Sequence, residues 1–294
     1  MRAAVIGAGL MGAQIGVEYA LGGYEVAFHS RDRDAARARV DAAFALLRSN
    51  ALRASDEVDA AARRVTATTD LTDAANGAEI LVESLPEDLE LKAALLRTAI
   101  AAAAPDAVVA TNTSSLSITT IGEAIGVPEQ TVGTHYLNPP LLMPPVEVIA
   151  GSKTSEETVA LAFETLAALG KLPIVVERDV PGFVWNRLQF ALVRECAWLV
   201  ENGVAAAEDV DTAVSEGLAR RWRHVGPLRA IALGGVDTWN RSGRNIVPAL
   251  STRPELPDLR EIAIMSGDVA ADAAARDEAL AQELRDDYPT EEIA

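Results

Sequence analysis

The chain has a single cysteine, Cys196, among its 294 residues, so an internal disulfide is excluded and with it the cross-linked framework of a small secreted protein. Aromatic residues make up only 4% of it, which leaves little surface for stacking nucleic-acid bases. Cations are the minority sign. The 26 Lys and Arg set against 43 Asp and Glu give a formal net charge of -17, opposite to what a phosphate backbone attracts, so nucleic acid is not an expected partner. No apolar run is long enough for a membrane span. The opening stretch MRAAVIGAGLMGAQIGVEYALGG imitates a signal sequence, but glycines punctuate it and Glu18 interrupts it. No cluster of His, Cys or carboxylates has metal-ligand spacing, and neither internal repeats nor long low-complexity linkers occur. The expectation is a cytoplasmic protein without a membrane anchor or a metal.

What is present points to two cores, since 294 residues at 49% hydrophobic composition exceed what one core usually fills. Gly7, Gly9 and Gly12 form G-x-G-x-x-G directly after the strand-like run Ala3 to Ile6, with Leu10 and Met11 between them. The first glycine permits a tight turn, the second lets main chain approach a pyrophosphate, and the third lets helix pack on strand. YEVAFHS follows as a second strand and completes the βαβ unit that a dinucleotide fingerprint requires. Further strand-like runs, EILVES, AVVATN and LPIVVE, alternate with helical patterns. In one of these, Leu89, Ala93, Leu96 and Ile100 form a single apolar stripe, with Lys92 and Glu87 off it. A capping-box pattern, Thr154-Ser155-Glu156-Glu157, opens the next helix, which Gly170 stops. Near Asp179 the strand pattern gives way to helical periodicity that continues to the acidic tail DDYPTEEIA, and Pro181 suits a first helical turn. The fold class is therefore α/β, with a dinucleotide-binding domain over 1–179 and an all-helical domain over 180–294.

One histidine, His135, stands in the apolar, proline-rich segment VGTHYLNPPLLMPPVEVIA, and Glu147 follows among valines. A buried imidazole and a buried carboxylate are each costly unless paired, so their common setting points to a couple. Taken alone, His135 reads as a satisfied core histidine, Glu147 as a strand charge, Ser114 as a helix cap and Asn186 as a helix hydrogen-bonder.

Four separated motifs, GAGLMG, NTSSLSIT, GTHYLNP with VEVI, and PGFVWNRL followed by EDVDTAV and GP, give the chain a resemblance to the 3-hydroxyacyl-CoA dehydrogenases over nearly its whole length. These include relatives that oxidise free 3-hydroxy acids such as gulonate and carnitine. The resemblance implies a Rossmann-like domain joined to a helical domain that dimerises, with the active site in the cleft between them. It carries functional roles onto Ser114, His135, Glu147 and Asn186. His135 would take the hydroxyl proton while hydride leaves the same carbon for nicotinamide. Glu147 would fix the imidazole tautomer, and Ser114 and Asn186 would hydrogen-bond the substrate oxygen or the ring. The resemblance also places Glu87, Lys92, Asn112 and Asn138 with the cofactor.

The chain departs from the family in three places. Where NAD enzymes set an acidic residue at the end of the second strand, it reads Ser30 and Arg31, a pair that can bind a 2'-phosphate; the expectation is NAD or NADP, with NADP favoured. The other reading is a loop serine and a solvated arginine, with Asp32 reaching the ribose. Where acyl-CoA enzymes read GYPMGP, the chain reads ARRWRHVGP, so Arg220, Arg221 and Arg223 are either a substrate-carboxylate clamp or an exposed basic helix end. IAIMSGDVAADAA replaces the family's KTG-GFY segment. The expected function is oxidation of a 3-hydroxyacyl thioester of CoA or a carrier protein, with a free 3-hydroxy acid as the alternative substrate and a non-catalytic cofactor-binding protein as the alternative class.

Overall fold

The structure is a computed structural model that describes residues 1–264 and 268–287. Part of the IAIMSGDVAADAA segment and most of the acidic tail lie outside the described residues. Among those described, eight strands form one sheet: β1 (Arg2–Ile6), β2 (Glu25–His29), β3 (Val65–Thr68), β4 (Ile80–Glu83), β5 (Val108–Thr111), β6 (Thr131–Tyr136), β7 (Pro145–Ala150) and β8 (Leu172–Val176). Their order is β3-β2-β1-β4-β5-β6-β7-β8. The central strands are buried on both faces, which is why they read as unbroken apolar runs rather than alternating ones. All neighbours are parallel except β6 and β7, which run antiparallel. Strand order reverses beside β1, so β1 and β4 flank the crevice where ligands of open α/β sheets bind.

Helices cover the sheet: α1 (Leu10–Leu21), α2 (Arg33–Ser49), α3 (Ser55–Arg63), α4 (Leu71–Ala75), α5 (Leu89–Ala102), α6 (Ile118–Ile125) and α7 (Glu156–Ala168). The α5 stripe turns inward as its spacing predicts, with Ala93 and Leu96 buried beside Leu81 and Val109. Lys92, off that stripe, is nevertheless only 1% exposed. The cap of α7 is Ser155, whose hydroxyl accepts from Thr158 N–H, while Thr154 instead donates to the carbonyl of Thr131. The cap thus falls on Ser155 without the expected capping box, because Thr154 is engaged by the neighbouring strand.

Two compact units emerge, Met1–Trp185 together with the chain from Ala270 onward, and Asn186–Val269. The second contains most of α8 (Trp185–Glu201), then α9 (Ala207–Thr212), a π-helical stretch Ala213–Ala219, α10 (Arg220–Trp222), α11 (Pro227–Gly234) and α12 (Val236–Ile246). Arg253 pairs with Glu201 at 2.6 Å and Ser251 N–H donates to Glu195 at 2.8 Å, tying the loop after α12 back to α8. The last helix, α13 (Val269–Asp287), belongs to the first unit, where Ala281 is fully buried with Leu47 and Leu52. This differs from a split at 179 with everything beyond it in one helical domain. An isolated helical pattern does not say which core its apolar face joins. Pro181 lies in a turn ahead of α8 rather than in its first helical turn.

Candidate active site

The glycine turn closes the end of β1. Gly7 has φ +103°, and a Cβ there would lie 2.4 Å from the carbonyl oxygen of Ser84 at the end of β4. A Cβ on Gly12 would fall 2.0 Å from the Gly7 carbonyl. Gly9 behaves differently: nothing lies within 4 Å of its missing Cβ, and it begins α1 without a side-chain cap. The helix N-terminus therefore opens onto free space with uncapped N–H groups, which fits the pyrophosphate of a dinucleotide. Leu10 is exposed there, and Met11 packs on the core. The N–H of Gly7 donates to His29 at 3.2 Å, so Ser30 and Arg31 leave β2 beside the turn. Asp32 caps α2 through Oδ1, and its N–H donates to the Ser30 hydroxyl at 3.3 Å.

His135 and Glu147 are register partners across β6 and β7, which explains their spacing in sequence. Directly opposed residues share a face, and here Nδ1 of His135 stands 2.7 Å from Oε2 of Glu147, both side chains buried. Oε1 of Glu147 accepts from the N–H groups of Val184 and Trp185, each at 2.8 Å. The sequence PGFVW makes this possible. Gly182 and Phe183 both take left-handed φ values, +79° and +49°, and the turn aims the two N–H groups at the start of α8 toward one oxygen. Burial pushes the Glu147 carboxyl upward, but the His135 bond and the two main-chain donors outweigh it and hold the group below its ordinary 4.5. A carboxylate so held orients the imidazole and stays anionic as the ring is protonated. Nε2 of His135 has no partner among the described residues, and the Phe183 ring lies 5.6 Å away, centroid to centroid.

A depressed carboxyl has a testable sign. The stability Glu147 contributes is fully present above its unfolded value and is lost as pH falls through its lower folded value. Urea midpoints measured between about pH 5 and about pH 2 should fall less steeply for Glu147→Gln than for the unaltered protein.

A second network, unforeseen in part, lies at the ends of β4 and β5. Glu83, fully buried, accepts from Lys92 at 2.7 Å, from the Thr111 hydroxyl at 2.5 Å and from Leu85 N–H at 2.5 Å. Lys92 also reaches Glu87 at 3.3 Å. Glu87 in turn accepts from the main-chain N–H of Ser114 at 2.7 Å and from the hydroxyls of Thr113 and Ser114. Partial burial raises the Glu87 carboxyl, and these donors with Lys92 bring it below its ordinary range. Lys92, expected with the cofactor, is thus spent on two carboxylates, and Ser114 donates to Glu87. Asn112 accepts from Tyr136 N–H at 2.9 Å, fastening this loop to the residue after His135. Asn138 is exposed in the loop leaving β6.

Asn186 begins the second unit and follows Trp185 directly in the chain. Arg220, Arg221 and Arg223 lie at and just after α10, directly beyond the π-helical stretch, and Arg220 pairs with Glu216 at 3.3 Å on an exposed surface. Among the described residues no group of three His, Cys, Asp or Glu side chains could hold a metal ion, and no helix is long and apolar enough to cross a membrane.

Hydride acceptance at a glycine-turn dinucleotide site and proton transfer by an oriented imidazole are the two halves of alcohol oxidation, and a chain that carries both is by class an NAD-dependent dehydrogenase of CH–OH groups. Residues 2–180 match the NAD binding domain of 3-hydroxyacyl-CoA dehydrogenase, and residues 182–276 match its C-terminal domain. The chain belongs to the 3-hydroxyacyl-CoA dehydrogenase family. It is 37% identical over 258 residues to 5-formyl-3-hydroxy-2-methylpyridine 4-carboxylate 5-dehydrogenase of Mesorhizobium japonicum, covering 86% of this chain and 82% of that one. Identity to L-carnitine dehydrogenase of Streptomyces coelicolor is also 37%, covering 80% and 73%. Among solved structures, a 5-formyl-3-hydroxy-2-methylpyridine 4-carboxylic acid 5-dehydrogenase, an NAD+ dependent dismutase, matches with a TM-score of 0.87 at 32% identity over 97% of both chains. The (S)-3-hydroxybutyryl-CoA dehydrogenase of Ralstonia eutropha matches with 0.69 at 28% identity over 81% and 83%.

Proposed function

We propose that the protein oxidises and reduces a small, free carboxylate-bearing substrate at a hydroxyl or carbonyl carbon, with His135 as general acid and base. The observation that carries the chemistry is the His135–Glu147 pair, 2.7 Å apart and fixed by strand register. In the oxidative direction Nε2 of His135 takes the hydroxyl proton, and Glu147 retains its charge and stabilises the imidazolium. The glycine turn of Gly7, Gly9 and Gly12 would hold NAD, which would supply the hydride acceptor. Glu87 holds the Ser114 loop.

Two observations favour the free acid. The relatives at 37% identity are named for a pyridine carboxylate and for carnitine. Arg220, Arg221 and Arg223 follow a π-helical stretch, a rare geometry that concentrates at functional sites, and a guanidinium binds carboxylate in bidentate fashion. The second reading, a 3-hydroxyacyl thioester, is favoured by the family match itself and by the hydroxybutyryl-CoA relative. NADH oxidation with acetoacetyl-CoA and with free oxo acids, including pyridine carboxaldehyde acids, separates the two. Turnover of free acids alone, reduced in Arg220→Ala or Arg221→Ala, supports the clamp; turnover of the thioester alone overturns it.

For the cofactor, Ser30 and Arg31 admit NADPH beside NADH. Arg31→Ala is expected to weaken NADPH about tenfold, the loss of one charge-assisted hydrogen bond, and to leave NADH nearly unchanged. Equal effects on both would remove the assignment. Leu228, Leu233 and Val247 stand well exposed on the second unit and support a homodimer formed through it; sedimentation of the purified protein tests this.

A further inference from the structure

The far end of α1 holds a group that alcohol oxidation does not use. Glu18 is 6% exposed and ion-paired with Lys171, whose ammonium also donates to the carbonyls of Pro140 at 2.6 Å and Met143 at 3.1 Å. All three Lys171 donors are therefore committed. The other Glu18 oxygen, Oε2, is buried without a partner. Burial raises this carboxyl to about 7 in spite of Lys171 and, more weakly, Arg53.

Glu18 and Lys171 line a cavity of about 590 Å³, entirely within the first unit. That volume lies in the range of small-molecule sites. Leu52, Leu141, Leu169 and Leu284 supply apolar walls from four separate segments. Arg53, Arg64 and Arg285 line it too, against Glu57 and Glu18, so the local sign is the reverse of the chain's net charge of -17. Arg53 spends one nitrogen on the Leu52 carbonyl and Arg64 one on that of Ala20, while Arg285 spends one on the Asn50 carbonyl and another on the Gln282 side chain. The remaining N–H groups of Arg53 and Arg64 have no partner among the described residues. None of Gly9, Met11, His135 or Glu147 lines this cavity. Glu18 stands nine residues beyond Gly9, about 13 Å along the helix.

Apolar walls, two open guanidinium forks and an unpartnered buried carboxyl describe one kind of occupant. A dianion such as phosphate would set two charges against Glu18 and leave the leucines unfilled. A monocarboxylate with an apolar body satisfies the forks, fills the walls and sets only one charge against the carboxyl. We propose that this cavity is a second ligand site, taking a small apolar carboxylic acid whose carboxylate is held by Arg53 and Arg64. Leu141 belongs both to its wall and to the loop joining the strands of His135 and Glu147. An occupant therefore braces that loop and acts on turnover without entering the reaction.

The test is calorimetric titration of the full-length protein with octanoate at saturating NADH, on the unaltered protein, on His135→Ala, on Arg53→Gln/Arg64→Gln and on Ala60→Trp, which fills the cavity from its lining. The expected result is one saturable site, retained in His135→Ala, weakened about tenfold or more in the double variant through loss of the bidentate contacts, and abolished by Ala60→Trp, with both cavity variants still binding NADH. Octanoate that fails to saturate, that binds the double variant and Ala60→Trp as tightly as the unaltered protein, or that is displaced by the reacting carbonyl substrate overturns the proposal.

Discussion

His135→Ala is expected to lower kcat by about two to four orders of magnitude, the usual contribution of a positioned general acid or base, while the Kd for NADH, read by fluorescence titration, stays within about twofold because the ring lies outside the glycine turn. The first unit divides the labour. Main-chain geometry of Gly7 to Gly12 makes the cofactor site, and strand register makes the proton-transfer site. Glu147→Gln should fall between His135→Ala and the unaltered protein, since an amide still hydrogen-bonds the ring but no longer balances an imidazolium. A His135→Ala enzyme with unimpaired turnover on every carbonyl substrate that the unaltered protein reduces would end the proposed mechanism.

Lys92→Met should destabilise the first unit by about 3–5 kcal/mol, the cost of leaving a buried charge without its partner. Glu83 is fully buried, and removing the ammonium leaves it only the Thr111 hydroxyl and the Leu85 N–H. The damage reaches the site through Glu87, which loses its cation while holding the main chain at Ser114. Urea denaturation followed by far-UV circular dichroism measures the first effect, and KM for the carbonyl substrate against kcat reads the second. The control is Glu83→Gln/Lys92→Met, which removes both charges and should recover a large part of the lost stability. If the single and double variants unfold at the same urea concentration, the ion pair is not what the lysine supplies.

The two sites differ in how much of them is written locally in the sequence. The glycine spacing was legible because each glycine answers a local steric demand that a reader can state without coordinates. His135 and Glu147 were legible as a couple because both are costly in an apolar segment, although nothing short of pairing β6 with β7 could set them face to face. Glu83 was not legible. It closes an ordinary strand, EILVE, and only the packing of α5 shows that Lys92 points inward to meet it. The short β3 is illegible for another reason: VTAT is brief and half polar. Local pattern gives Thr154 and Pro181 helical roles, but Thr154 bonds to the Thr131 carbonyl instead and Pro181 lies in the turn ahead of α8.

The return of α13 to the first unit bears on how the chain matures. A nascent chain reaches residue 185 with seven helices and the complete sheet already made, yet the surface around Leu47 and Leu52 stays bare until the last helix has been synthesised. The 84 residues of the second unit lie between these events. Closure of the first unit therefore waits until the second has been synthesised, and until then its leucines are open to non-native contacts.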